Sequence, residues 1–198
     1  MALARLAALY RDGYAAIEAS FENRYGGDIV GAFRRLQDDG VIEIITSAAT
    51  HAYLPLLARD SSISAQLTTA ARSYRRHFGR QARAAWLPEC AYRPAYYTYG
   101  RHGAYRKPGL EEFLAENGLR LFFSETHAIQ GGEPTGKTRH GVVGLYGEVP
   151  RRYVVPIAGY TEPTLKTTYL PYTVGDADVA VIGRNDRTFD LYPEQSIA

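Results

Sequence analysis

Glu89 stands in the run Trp86-Leu87-Pro88-Glu89-Cys90-Ala91-Tyr92-Arg93-Pro94, which sets one carboxylate between two aromatic side chains and close to an arginine. Residues 83–88 read as a buried strand that stops at Pro88, because proline cannot donate to a ladder. Glu89 then falls at a strand's carboxyl end, where α/β barrels and open α/β sheets place their chemistry. The rings of Trp86 and Tyr92 are suited to stacking on flat apolar faces, which sugar rings present. The competing reading is a solvated strand-end glutamate paired with Arg93.

The elements that must position this carboxylate follow from periodicity. Leu3, Leu6, Ala7, Tyr10, Tyr14 and Ile17 recur at helical spacing over 3–19, and Gly26-Gly27 breaks the pattern. Asp28 is expected to cap a second helix running through Leu36 and ended by Gly40. Residues 41–46 are mostly apolar, as a parallel strand covered on both faces would be. Residues 47–57 read as loop, and Ser61 or Ser62 as the cap of a helix that ends near Gly79. After the 83–88 strand, residues 91–107 form an aromatic, glycine-punctuated loop. Pro108-Gly109 opens another helix, closed by Asn117-Gly118. Residues 119–124 and 179–183 are further strands. Strands alternating with helices imply an α/β fold with a parallel sheet and right-handed crossovers. Residues 130–175, rich in Gly, Pro and Thr, suit a lid or binding loop.

Composition narrows the classes. The 198 residues suit one domain or a piece of a larger one. Charged residues at 22% and apolar ones at 45% favour a packed core over disorder. A net charge of +2 is too small to argue for nucleic acid. Arg72, Arg75, Arg76, His77, Arg80 and Arg83 read as a solvated face. One cysteine excludes an internal disulfide and a cysteine-based zinc site, which fits a reducing, cytoplasmic setting. No apolar run approaches the ~18 residues of a membrane span. Sixteen tyrosines against seven phenylalanines suit a groove that is both apolar and hydrogen-bonding.

Three segments together resemble glycoside hydrolase family 57, in particular its α-1,4-glucan branching enzymes. They are residues 40–57, containing Ala49-Thr50-His51-Ala52-Tyr53-Leu54-Pro55; residues 86–94; and residues 109–127 with the later 179–184. The resemblance covers about residues 25–187. It implies an incomplete (β/α)7 barrel over 1–198, with 130–175 as a long lid, acting on α-glucans by a retaining mechanism. Glu89 matches the family's nucleophile, and His51 matches a histidine that lines the pocket beside it. Substrate contacts are expected from His51, Trp86, Cys90, Tyr92 and Arg93. The carboxylate is expected to face a sugar-sized cleft with His51 near it. Glycogen, amylose or a starch-like glucan is the expected partner, with no cofactor, no metal, no nucleic acid and no membrane. The oligomeric state is not assigned.

The chain also departs from the family pattern. The opening His-x-His-x-Pro-Tyr strand is absent, and the family's acid/base aspartate matches none of Asp176, Asp178, Asp186 or Asp190, nor Glu125. Ala91 replaces the usual glycine. Residues 189–192 read Phe-Asp-Leu-Tyr where the family carries Gln-Val-Trp-Ser. These departures point to a fragment of a larger barrel that is inactive alone. The alternatives are an α-amylase or 4-α-glucanotransferase of the same family, or a catalytically dead glucan-binding fragment. A metal-dependent deacetylase built on His51 and His127 lacks a close ligand set. His127 and His140 are read as solvent-facing.

Overall fold

The computed structural model describes residues 2–131, 142–144, 147–149 and 164–185. Two helices come first, α1 over Ala2–Asn23 and α2 over Ile29–Asp38, followed by α3 over Asp60–Phe78. Strand β1 (Ala84–Trp86) leads to a hairpin of β2 (Tyr96–Gly100) and β3 (Gly103–Lys107). Helix α4 (Leu110–Glu116), strand β4 (Leu121–Ser124) and a short helix α5 (Thr126–Gln130) come next. A small ladder of β5 (Val142–Gly144) and β6 (Gly147–Val149) precedes β7 (Tyr172–Thr173) and β8 (Ala180–Gly183).

The main sheet has the order β1-β4-β8-β7. β1, β4 and β8 run parallel in register, so Ala85, Phe122 and Val181 lie side by side, and Trp86, Phe123 and Ile182 form the next row. Side chains alternate across a sheet. The first row is buried in one cluster with Ile63 and Leu67 of α3 and Leu110 and Leu114 of α4. The second row is the more open face. Fully burying a ring such as Phe122 contributes roughly 1.5–3 kcal/mol, which fixes which face meets the helices. The expected parallel sheet is present; β7, antiparallel to β8, is an addition.

Several local expectations are met. The Asp28 carboxylate accepts from the Gly31 N–H at 2.7 Å and caps α2. Gly79 ends α3 in the left-handed region. Asn117 and Gly118 close α4.

Others are corrected. Residues 41–46 join the sheet only through Thr46, which bridges to Ala85. The Ile44 N–H donates instead to Gln37 Oε1 at 2.8 Å, and the Ile44 carbonyl accepts from the Tyr74 hydroxyl at 2.8 Å. Two helical side chains thus occupy the backbone groups that a ladder would have paired, and the strand splays away from β1. α3 starts at Asp60 with Arg59 as its cap, so Ser61 and Ser62 lie inside the first turn. The supposed loop at 91–107 holds the β2–β3 hairpin. The 3–19 stripe is indeed helical, yet Leu3, Leu6, Tyr10, Tyr14 and Ile17 are exposed. Within 130–175, residues 132–141, 145–146 and 150–163 lie outside the described residues, as does His140.

Candidate active site

β1 ends at Trp86, and the chain turns at once into a 3₁₀ turn over Pro88–Cys90. Glu89 and Cys90 both have left-handed backbones, with φ of 56° and 52°. Two consecutive non-glycine residues there are costly, by about 1–2 kcal/mol each, and need surroundings that enforce them. Those surroundings come from the carboxyl ends of the neighbouring strands. The Cys90 N–H donates to the Leu87 carbonyl at 2.8 Å, and Ala91 N–H to Pro88 at 3.1 Å. The Ser124 hydroxyl, at the end of β4, donates to the Cys90 carbonyl at 3.4 Å. Beside it Arg184 Nη1 pairs with Glu125 Oε1 at 2.6 Å, both partly buried. The Arg184 N–H in turn donates to the Ser124 carbonyl at 2.8 Å.

The turn lifts the Glu89 carboxylate toward a third left-handed residue, His51, whose φ is 54°. His51 Nε2 lies 3.5 Å from Glu89 Oε1, an ion pair when the imidazole carries a proton. The His51 loop is clamped from α3. The Thr50 N–H donates to Gln66 Oε1 at 2.9 Å, Gln66 Nε2 donates to Thr50 Oγ1 at 2.9 Å, and the Ala49 N–H donates to the Gln66 carbonyl. Residues far apart in the chain thus meet at one end of the sheet.

The remaining expected contacts divide. Trp86 stays in reach of a ligand: its ring is partly exposed and stacks on Phe123, with centroids 5.3 Å apart. Arg93 makes no ion pair with Glu89 among the described residues. Its guanidinium lies 4.9 Å from the Tyr96 ring centroid, and its Nη1 is buried with no hydrogen-bond partner among the described residues. Cys90 and Tyr92, also expected as sugar contacts, are the more enclosed of the set. Cys90 is 2% exposed. Burial, then the Glu125 carboxylate, pushes its thiol pKa up. The Tyr92 ring stacks on Phe122, with centroids 5.2 Å apart, and its hydroxyl donates to Glu111 Oε2 at 2.8 Å. Burial and that carboxylate hold the phenol well above its ordinary pKa. Both residues support the turn from behind.

Among the described residues the expected cleft is not closed around Glu89. The Glu89 side chain is 72% exposed and that of His51 59%. A cavity of about 550 Å³ lies at the opposite end of the strands, between Gly40–Glu43 and Arg80–Arg83. Another of about 380 Å³ lies between α2 and α3. Neither touches the Glu89 carboxylate, so proximity to a cavity is no guide to the chemistry here. Among the described residues no group of three His, Cys, Asp or Glu side chains could hold a metal ion.

Sequence reasoning missed Gln66, Ser124 and the Glu125–Arg184 pair. Glu125 at a strand end was visible, but its partner lies one residue past β8 and only the fold joins them.

Comparison with known proteins converges on one family. The model of glycosyl hydrolase family 57 matches residues 10–193. The 1,4-alpha-glucan branching enzyme of Thermococcus kodakarensis is 43% identical over 163 residues, 82% of this chain and 22% of that protein. Its crystal structure, with glucose and additives, superposes with a TM-score of 0.67 at 40% identity, over 90% of this chain and 30% of that one. The branching enzyme of Pyrococcus horikoshii gives 0.65 at 35% identity, over 93% and 29%. An alpha-amylase of Thermotoga maritima gives 0.57 at 25%, over 93% and 27%. The chain therefore spans less than a third of the length of these relatives. With the family model matching nearly the whole chain, and the Trp-Leu-Pro-Glu-Cys turn and the His51 loop meeting at one end of a parallel sheet, this protein belongs to glycosyl hydrolase family 57.

Proposed function

We propose that the chain forms the nucleophile-bearing part of a retaining α-glucan branching enzyme, a piece of a (β/α)7 barrel. The observation that carries this reading is the 3.5 Å approach of His51 to Glu89 at the carboxyl ends of the strands. The branching-enzyme names of its similar relatives favour transfer over the family's other reactions. Glu89 attacks the anomeric carbon of an α-1,4-linked unit while a second carboxyl, about 5–5.5 Å away, protonates the departing oxygen. The 6-hydroxyl of another glucan chain then displaces Glu89 and gives its proton to that second group. His51 hydrogen-bonds the attacking carboxylate or a sugar hydroxyl beside it. Trp86 offers an apolar face to the sugar, and Arg93 is a further substrate contact. The acid that completes the pair is assigned to no residue of this chain, so the chain alone is inactive.

No described helix is long and apolar enough to cross a membrane. That is compatible with a cytoplasmic enzyme acting on glycogen, amylose or a starch-like glucan. The likeness to an alpha-amylase supports a second reading, hydrolysis or 4-α-glucan transfer by the same nucleophile.

The test is a segment exchange. This chain replaces its matching stretch in the Thermococcus kodakarensis branching enzyme, and the hybrid acts on amylose. New α-1,6 branch points support branching; shortened linear chains alone support the amylase reading.

A further inference from the structure

We infer that Arg184 is a positioning residue for the nucleophile, a guanidinium past the end of β8 that holds Cys90 and thereby aims the Glu89 carboxylate. The inference rests on the nucleophile reading above.

Glu89 has little of its own to fix its direction. Its side chain is largely exposed, and His51 is its one ion-pair partner among the described residues. Its aim is therefore set by the backbone, which at both Glu89 and Cys90 lies in the left-handed region. Neither residue is a glycine, so both conformations are strained and relax unless held from outside.

Cys90 is where they are held. Its N–H donates to the Leu87 carbonyl at 2.8 Å, and its carbonyl accepts from the Ser124 hydroxyl at 3.4 Å. Its buried sulfur lies in hydrogen-bonding reach of the Arg184 guanidinium. Rotating Cys90 out of the left-handed region would carry its side chain away from that guanidinium. The preceding peptide would turn as well, and Glu89 with it.

Arg184 is itself fixed at backbone and side chain. Its N–H donates to the Ser124 carbonyl at 2.8 Å, and its carbonyl accepts from the Thr126 hydroxyl at 2.6 Å. Its Nη1 pairs with Glu125 Oε1 at 2.6 Å, the two side chains being 18% and 30% exposed. Gly183 precedes it, and a Cβ there would stand 2.7 Å from Thr168 Cγ2 and 2.9 Å from Ile129 Cγ1. Any side chain at 183 would push the end of β8 off α5 and displace the guanidinium. The planar fork of an arginine offers several donors in fixed directions, so one group can hold a carboxylate and a sulfur together. A partly buried ion pair contributes little net stability, because desolvation offsets the attraction. The consequence of this pair is therefore geometrical: it joins β4 and β8 to the residue that follows the nucleophile.

The experiment compares the wild-type chain with E125M/R184M, which removes both charges together and strands neither, and with Arg184→Lys. Circular dichroism and urea unfolding check the fold of each. With glutamate and cysteine selectively labelled, three-bond amide–Hα couplings and Cα shifts report φ at Glu89 and Cys90. Trapping by a 5-fluoroglucosyl fluoride gives a maximum rate and a half-saturating concentration. In E125M/R184M the couplings should move toward averaged values. Its maximum trapping rate should fall about tenfold or more, with the half-saturating concentration unchanged. Arg184→Lys keeps a cation beside Glu125 without the fork and should recover part of the rate. Wild-type couplings and rate in E125M/R184M overturn the inference. So does a change confined to the half-saturating concentration, which would make Arg184 a sugar contact. If the double variant does not fold, an Arg184→Lys chain with wild-type couplings and rate overturns the inference. A wild-type chain that is never trapped sinks the nucleophile reading alone, since the couplings still decide whether Arg184 holds the turn.

Discussion

The Ser124 hydroxyl donates to the Cys90 carbonyl at 3.4 Å, tying the residue after Glu89 to the central strand of the parallel sheet. The strained turn is thereby anchored to β4 and, through Arg184, to β8. The orientation of the Glu89 carboxylate then depends on Ser124, Glu125 and Arg184.

Cys90 is the chain's single cysteine, so its thiol reports on this anchor. In the native protein it is buried and its pKa is raised, so a disulfide reagent at pH 8 should react slowly. Glu125→Ala removes the carboxylate that pairs with Arg184. It should speed labelling by about tenfold, the effect of weakening local closure by about 1.4 kcal/mol. Labelling at the wild-type rate would show that the pair does not hold the turn.

Gln66 positions His51 at one remove. Gln66→Ala removes the side-chain bonds to Thr50 and should cost about 1–2 kcal/mol in urea unfolding. The same variant should weaken the nuclear Overhauser contact between the His51 ring and the Glu89 side chain. A loss of stability with that contact intact would make Gln66 a general brace rather than a positioning residue.

Tyr92 carries a pH signature. Its folded pKa is raised, so its contribution to stability is complete below the ordinary tyrosine value of 10 and is lost as pH rises beyond it. Tyr92→Phe strips the buried Glu111 of its hydroxyl donor and should cost about 1–3 kcal/mol at neutral pH. Denaturant titrations of both proteins between pH 8 and 11 check this. The wild-type curve should fall toward the variant's, and parallel curves would contradict the assignment.

Much of the site was legible because its parts are short, local and chemically unusual. Proline after an apolar run marks the end of β1, and Glu89 follows directly. The helix caps at Asp28 and Gly79 are equally local. What escaped was whatever depends on a distant partner. Ile44 lies in a run that looks like a strand, but Gln37 and Tyr74, brought in by two helices, take its backbone groups. The β2–β3 hairpin has tyrosines on both faces, hence no two-residue alternation, and its Arg101-His102 turn lacks the usual Asn-Gly signal. The stacking of Tyr92 on Phe122 joins two strand ends that are far apart in the chain, so residue type alone could not announce it.

The central claim is that Glu89 attacks an anomeric carbon, and covalent trapping addresses it most directly. A 5-fluoroglucosyl fluoride needs no acid to release its leaving group. The Glu89 carboxylate forms the bond to the anomeric carbon as fluoride departs, even where the second carboxyl is missing. Peptide mass spectrometry of the treated chain should find the sugar on Glu89, and Glu89→Gln should take up none. A sugar attached elsewhere, at Glu125 for example, or undiminished uptake by Glu89→Gln would contradict the account.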